Sequence, residues 1–226
     1  MVTTEAPPTA RHRVVIAGGH GQIARHLEAL LVARGDTVVG LVRNPAHADE
    51  LISAGAEAVV IDLESSQADA LAPHLDGATA VVFAAGAGPG SSIERKQTVD
   101  RDAAVLLADA AAAAGVRRYM MVSAMGADEP LDDSDEVFAA YLSAKAAADR
   151  YVRESGLDWT IVRPGGLTNE GASGTVEVAE RVERGSIPRA DVAAVLAAVL
   201  DEPRTIGKQF ELVSGETAIA EALRSV

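Results

Sequence analysis

The sequence contains no cysteine. That excludes disulfides, thiolate catalysis and cysteine-ligated metal together. Aromatic residues are only 3% of the chain, a composition that favours close packing of helices on a sheet over an aromatic-rich binding surface. Positive charge is also scarce: 20 Lys and Arg against 33 Asp and Glu leave a net charge of −13. Nucleic acids and anionic membranes both need a basic face, so neither is expected as a partner. Long apolar runs are missing too, since the longest uncharged one, Val192 to Leu200, is far too short to span a bilayer. Met1 to Ala10 is a polar tail, expected to be disordered, without the apolar core of a signal peptide. These absences together lead to the expectation of a cytoplasmic protein. The five histidines, at 12, 20, 26, 47 and 74, are not clustered in sequence, and no metal site is expected.

What the sequence does have is alternation of short β-branched runs with helical patterns. With 226 residues, 48% of them apolar, it suits one sizeable α/β domain. Near the N-terminus the run Arg13 to Ala17 leads into Gly18-Gly19-His20-Gly21, and then into Ile23, Leu27, Leu30 and Leu31 at helical spacing. That is strand, tight turn, helix. Gly18 permits the reversal, Gly21 lets the backbone approach a bound group, and Ala24 lets the helix pack close to the strand. The free N–H groups of such a helix end suit a dinucleotide pyrophosphate, although an ordinary βα turn has the same glycines.

Further strands are predicted at Thr37–Val42, Ala58–Ile61, Thr79–Ala85, Arg118–Val122, Trp159–Val162 and Gln209–Val213, with a possible one at Val176–Ala179. Helices are predicted at Ala46–Ala54, Ser66–His74, Val99–Ala114, Val137–Glu154 and Asp191–Leu200, with Asp191 as N-cap, followed by a short terminal helix. The pattern implies a doubly wound parallel sheet, a Rossmann fold, formed by residues 11–226 as a single domain with a small C-terminal substrate-side extension.

In such a sheet the C-terminal strand ends share one crevice, and the residues that carry chemistry fall there. Arg43 ends the second strand, where an arginine suits the 2′-phosphate of NADP and an acid the 2′-OH of NAD; no acid follows it until Asp49. A solvated arginine is the plainer alternative. Asp62 closes the third strand, facing either the crevice or a solvated turn. The loop Gly86 to Gly90 has almost no side chains and would admit a ligand closely. Gly126 to Glu136 is acidic and aperiodic, either a lid over the crevice or a solvated loop. Tyr141 and Lys145 are four apart and so share one helix face. An ammonium near a phenol lowers its pKa, which would make Tyr141 a usable acid or base; two unconnected surface residues give the same spacing.

Taken together, GGHGQIA at 18–24, LVRN at 41–44, Asp62-Leu63, AAGAG at 84–88, VSA at 122–124, YLSAK at 141–145 and SGLDWTIVRPGGLT at 155–168 resemble the atypical short-chain dehydrogenase/reductases. The biliverdin-reductase-B-like and NmrA-like groups are the nearest in pattern, and the resemblance runs from Arg13 to the end, including RADVA at 189–193 and FELVSG at 210–215. It implies a nicotinamide dinucleotide, NADP before NAD. Gly18, His20, Gly21, Gln22 and Ile23 would hold the pyrophosphate and its surroundings, with Arg43 on the 2′-phosphate. Asp62 and Leu63 would meet the adenine, Ala85 and Gly86 the adenosine side, Lys145 the nicotinamide ribose, and Pro164, Gly165, Gly166 and Leu167 the nicotinamide. Tyr141, Lys145 and Ser123 match the superfamily's catalytic roles, with Tyr141 moving the proton and Ser123 holding the substrate oxygen. One departure is Ala124, where many relatives have a second hydroxyl.

The resemblance therefore implies an oxidoreductase that moves a hydride between the nicotinamide and a small carbonyl or unsaturated substrate. A non-catalytic NADP(H) sensor and an epimerase or dehydratase are the alternatives. Monomer and homodimer are both open, because the Ala-rich helices could pair between copies or merely cover the sheet.

Overall fold

The structure, a computed structural model, describes residues 11–129 and 135–226. The expected tail at 1–10 and the centre of the acidic segment, 130–134, lie outside the described residues. Strand β1 (Arg13–Ala17) is followed by α1 (Gln22–Arg34), β2 (Thr37–Val42), α2 (Ala48–Ser53), β3 (Glu57–Val60), α3 (Ala68–Leu71) and β4 (Ala80–Phe83). Next come α4 (Ile93–Arg95), a π-helical segment (Lys96–Asp102), α5 (Ala103–Ala113), β5 (Arg118–Val122), α6 (Glu136–Glu154) and β6 (Asp158–Pro164). Short strands β7 (Gly166–Thr168), β8 (Thr175–Ala179) and β9 (Ser186–Pro188) lead to α7 (Arg189–Asp201), β10 (Lys208–Ser214), β11 (Thr217–Ala218) and α8 (Ile219–Ala222).

Among the described residues nine strands form one sheet in the order β3-β2-β1-β4-β5-β6-β10-β8-β11. The first seven run parallel; β8 pairs antiparallel with β10 and β11 antiparallel with β8. Strands β7 and β9 make a separate parallel pair. The 3-2-1-4-5-6 order is that of dinucleotide-binding folds, and its direction reverses between β1 and β4, where the crevice opens.

The buried strand residues alternate between two cores, as the pleat requires. Val14, Ile16, Val82 and Met120 face α1 and α7, while Val15, Val81, Phe83 and Tyr119 face α5 and α6. Helix α1 stops at Gly35, whose φ of 88° is left-handed and whose N–H bonds back to Val32 O at 2.9 Å.

Three expectations change. The helix expected to begin at Val99 begins at Ile93, because the Ser92 hydroxyl accepts from Arg95 N at 3.3 Å and starts the turn earlier. Asp191 does not cap α7, which starts at Arg189; its wholly buried carboxylate instead accepts from Ser173 N, Ser173 Oγ and Gly174 N at 2.8–3.0 Å, tying that loop to the helix. Beyond β6 the strand expected at Val176–Ala179 is present as β8, but it runs antiparallel, and β7, β9 and β11 were not expected; these three are two or three residues long, too short to carry a readable alternation.

Candidate functional site

The turn after β1 is built on close approach. Gly18 has φ 82°, and a Cβ there would lie 2.6 Å from Ala85 Cα, so β1 and β4 meet closely at the crevice only because both glycine and turn are present. No side chain caps α1 at Gly21. Its first hydrogen bond is Arg25 N to Gly21 O, at 2.9 Å. The leading N–H groups are therefore left for an anion, and the absence of a Cβ at Gly21 keeps the approach clear. The residues present fit a dinucleotide diphosphate.

Beneath this turn lies an acid that the sequence pattern did not mark. Glu28 is 2% exposed, and its Oε1 sits 3.0 Å from where a Gly19 Cβ would be and 2.8 Å from that of Gly40. The carboxyl fills the space two glycines leave. Oε1 has no hydrogen bond among the described residues, and burial pushes the pKa up to about 8 against the opposing pull of Arg25.

At the end of the crevice where the adenosine is expected, a cavity is lined by Gly18, Arg43, Asp62, Leu63, Ala85 and Gly86, which brings together residues that follow four separate strands. Asp62 also accepts from Glu64 N at 3.1 Å, so it holds its own turn. Arg43 is not isolated from acids as its sequence neighbourhood implied. Its Nη1 donates to Glu64 Oε2 at 2.7 Å, and Glu64 also receives Arg95 at 2.9 Å and the Thr98 hydroxyl at 2.6 Å. The loop after β3 supplies that acid, which a reading along β2 alone misses. His20 turns toward α2, stacking on the His47 ring at 3.6 Å with its Nε2 3.1 Å from Glu50.

The other end is a cavity of about 650 Å³ where Gln22, Ile23, Ala85, Gly86, Ser123, Tyr141, Lys145 and Leu167 converge. Pro164, Gly165 and Gly166 line an adjoining cavity with Tyr141 and Ser123. Gly165 is required there, since a Cβ would meet Gly185 O at 2.4 Å.

Lys145 is 3% exposed; its Nζ donates to Val122 O at 3.1 Å and lies 3.4 Å from Asp100 Oδ1 and 5.9 Å from the centre of the Tyr141 ring. The expected depression of the tyrosine does not occur. Burial, then the charges of Asp100 and Asp149, hold the Tyr141 phenol well above its ordinary range, and Lys145 is itself paired with Asp100. Ser123 is likewise turned from the expected role: its hydroxyl donates to Asp149 Oδ2 at 2.8 Å. Asp149, wholly buried, also accepts from Arg163 Nε and Nη2 at 2.9 and 2.6 Å, while Arg163 Nη1 reaches Asp128 at 2.7 Å. Burial raises the Asp149 pKa, and Arg163 opposes that shift.

Two further residues escaped the sequence reading, Lys96 and Asp100, both in the π-helical segment. Asp100 Oδ2 accepts from Ala87 N at 3.2 Å, and Gly86 is needed beside it, as a Cβ would stand 3.2 Å from Asp100 Oδ1. Lys96 Nζ donates to Gly88 O at 2.8 Å. Together they pin the glycine-rich loop; π-turns gather at functional sites, but none is recognisable from sequence, so no signal there could have found them.

Among the described residues no helix is long and apolar enough to cross a membrane. The profile of the NAD(P)H-binding family matches residues 18–203. A Bacillus subtilis (strain 168) protein called an uncharacterized sugar epimerase, YhfK, is 40% identical over 95% of this chain and 100% of its own length. A solved protein of Bacillus halodurans, provisionally assigned as an NAD-dependent epimerase/dehydratase, superposes with a TM-score of 0.87 at 38% identity, covering 95% of this chain and 100% of that one. The oxidoreductase ylbE of Lactococcus lactis gives 0.83 at 28% identity over 95% and 96% of the two chains. With its fold, its glycine turn and this match over most of its length, the chain belongs to the NAD(P)H-binding family of Rossmann-fold proteins.

Proposed function

We propose that the protein is an NADP-dependent oxidoreductase acting on a small carbonyl or unsaturated compound, with Tyr141 transferring the substrate proton. The observation that carries this reading is one cavity lined both by the uncapped start of α1, at Gln22 and Ile23, and by the Tyr141–Lys145 pair. The nicotinamide group, when bound, supplies or accepts the hydride. The chain's own residues bind and orient it: Gly18, Gly21, Gln22 and Ile23 at the diphosphate, Asp62, Leu63, Ala85 and Gly86 at the adenosine. Pro164, Gly165, Gly166 and Leu167 wall the nicotinamide, and Lys145 meets its ribose. Arg43 and Arg95 bring two guanidinium groups to the adenosine end, where Glu64 and Asp62 are the acids, and a guanidinium suits a 2′-phosphate, which supports NADP over NAD. A phenol held above its ordinary range stays protonated, so Tyr141 is set to give a proton to a developing alkoxide, the direction of reduction.

The names of two relatives favour a second reading, an epimerase or dehydratase. Such an enzyme restores its cofactor each cycle and consumes no NADPH overall. Titration of the protein with NADP, NADPH, NAD and NADH, with Arg43→Ala alongside, tests the cofactor; NADP(H) is expected to bind at least about tenfold tighter, a difference of about 1.4 kcal/mol, with the preference lost in the variant. On a panel of carbonyls and quinones, Tyr141→Phe is expected to lower kcat by roughly 10²–10⁴-fold while leaving NADPH affinity alone. No NADPH consumption across the panel, or full activity in Tyr141→Phe, would overturn the reading.

A further inference from the structure

Lys96 is a buried cation with no acid paired to it among the described residues. It is 6% exposed, its Nζ lies 5.3 Å from the centre of the Tyr141 ring, and its one hydrogen bond among the described residues is to the carbonyl of Gly88. Other buried cations at this end have carboxylates: Lys145 has Asp100, and Arg163 has Asp149 and Asp128. Charges taken from water are paired, and an ammonium with spare donors in a cavity wall is a place for an anion.

The rest of the cavity agrees. Arg189 lines it as well, bonded among the described residues only to the neutral Asn169 Oδ1, at 2.7 Å. Its two lining acids are occupied, Asp100 by Lys145 and Ala87 N, Asp135 by capping α6 through Phe138 N at 2.9 Å. Among the described residues three cations thus face two acids, in a chain whose net charge is −13. The mouth is apolar: Val137, Phe138 and Leu167 are 41%, 54% and 37% exposed. The diphosphate already has the free N–H groups of α1, whereas Lys96 stands beside the proton-transfer group.

We propose that Lys96 sets substrate specificity: it grips a carboxylate on the substrate, whose reducible carbon then faces Tyr141 and whose apolar or aromatic body lies against Val137, Phe138 and Leu167. This rests on the oxidoreductase reading for its turnover arm. Arg189 assists at the outer side of the same group. Proton and hydride go to the carbonyl, and the carboxylate is not altered.

The test compares phenylglyoxylate with its methyl ester in NADPH-dependent reduction, and benzoate with benzamide in equilibrium binding, using wild type, Lys96→Gln and Lys96→Arg. Binding is read by thermal shift with and without NADP. Gln keeps a donor for Gly88 O and removes the charge, and Arg restores it. The acid is expected to exceed the ester at least tenfold in kcat/KM. Lys96→Gln should abolish that preference through KM for the acid, lower kcat/KM for the ester and the NADPH affinity far less, and be rescued in large part by Arg. Benzoate should stabilise wild type and not Lys96→Gln, and benzamide neither. Equal handling of acid and ester, or equal loss of both in Lys96→Gln, makes Lys96 a loop pin and overturns the proposal. So does a tenfold loss of NADPH affinity, which would give Lys96 to the cofactor. If no NADPH is consumed, the oxidoreductase reading fails by itself, and the benzoate arm still decides Lys96.

Discussion

At the adenosine end the crevice is walled by backbone and by exposed side chains, whereas at the tyrosine end it is walled by charges taken out of water. Arg43 is 55% exposed and Glu64 24% exposed in their side chains, but Lys145, Asp100, Arg163 and Asp149 are all 5% or less. The same Coulomb attraction has different consequences in the two places. In high dielectric an ion pair is screened and easily exchanged for a phosphate; in low dielectric, removing one partner leaves the other without solvent. The first arrangement suits binding and releasing a mobile cofactor. The second fixes Ser123, Lys145 and the end of β6 in place.

The largest effect is expected where that difference is greatest. Arg163→Met strips the buried Asp149 of both guanidinium bonds and should cost about 3–5 kcal/mol of unfolding free energy. Adding Asp149→Leu to it should recover most of the loss, since an apolar pair needs no solvation. Urea unfolding of the single and double variants checks this. A single variant within about 1 kcal/mol of wild type would mean that water reaches Asp149, and the contrast between the ends would disappear.

The adenosine end was also the more legible in sequence, for the same physical reason. A glycine turn, a strand and a helix are set by local backbone preference, so β1 and β2 fall on their expected boundaries and Gly18 shows the left-handed φ its position asks for. Tyr141 and Lys145 were recognisable from their four-residue spacing. Their electrostatics were not, because Asp100 and Asp149 reach them from a π-turn and from α6, and the raised phenol follows from burial that no linear pattern reports. Glu28 was invisible likewise: on a helix it reads as a polar residue, and only the packing of Gly19 against Gly40 makes it a buried acid.

Glu28 gives the next largest effect, and it depends on pH. Its folded pKa of about 8 lies above the ordinary carboxylate value of 4.5, so the folded state holds the proton more tightly than the unfolded chain. The stability this confers is complete below the unfolded value and is lost as pH rises from there through about 8. Glu28→Gln removes the titration. Relative to wild type the variant should change little near pH 5 and become more stable near pH 8.5 by ~3 kcal/mol, below the ~5 that the whole shift would allow, because ionised Glu28 can hydrate by local opening. Chemical unfolding of both proteins across that range decides it, and parallel curves would show Glu28 already ionised in the fold.

The smallest effect belongs to the exposed pair. Glu64→Gln removes the charge that Arg43 and Arg95 share, and exposed pairs of this kind contribute about 0.2–1 kcal/mol, so unfolding should barely change. The cofactor should register it more clearly. Once the competing carboxylate is neutral, both guanidinium groups are free for a 2′-phosphate, and the preference for NADP(H) over NAD(H) should rise roughly threefold to tenfold, less so at high salt. Fluorescence titration with the four nucleotides at two salt concentrations measures this directly. A fall in the preference would show instead that Glu64 orients Arg43 toward the phosphate, in which case even this solvent-exposed end depends on a fixed ion pair as the buried one does.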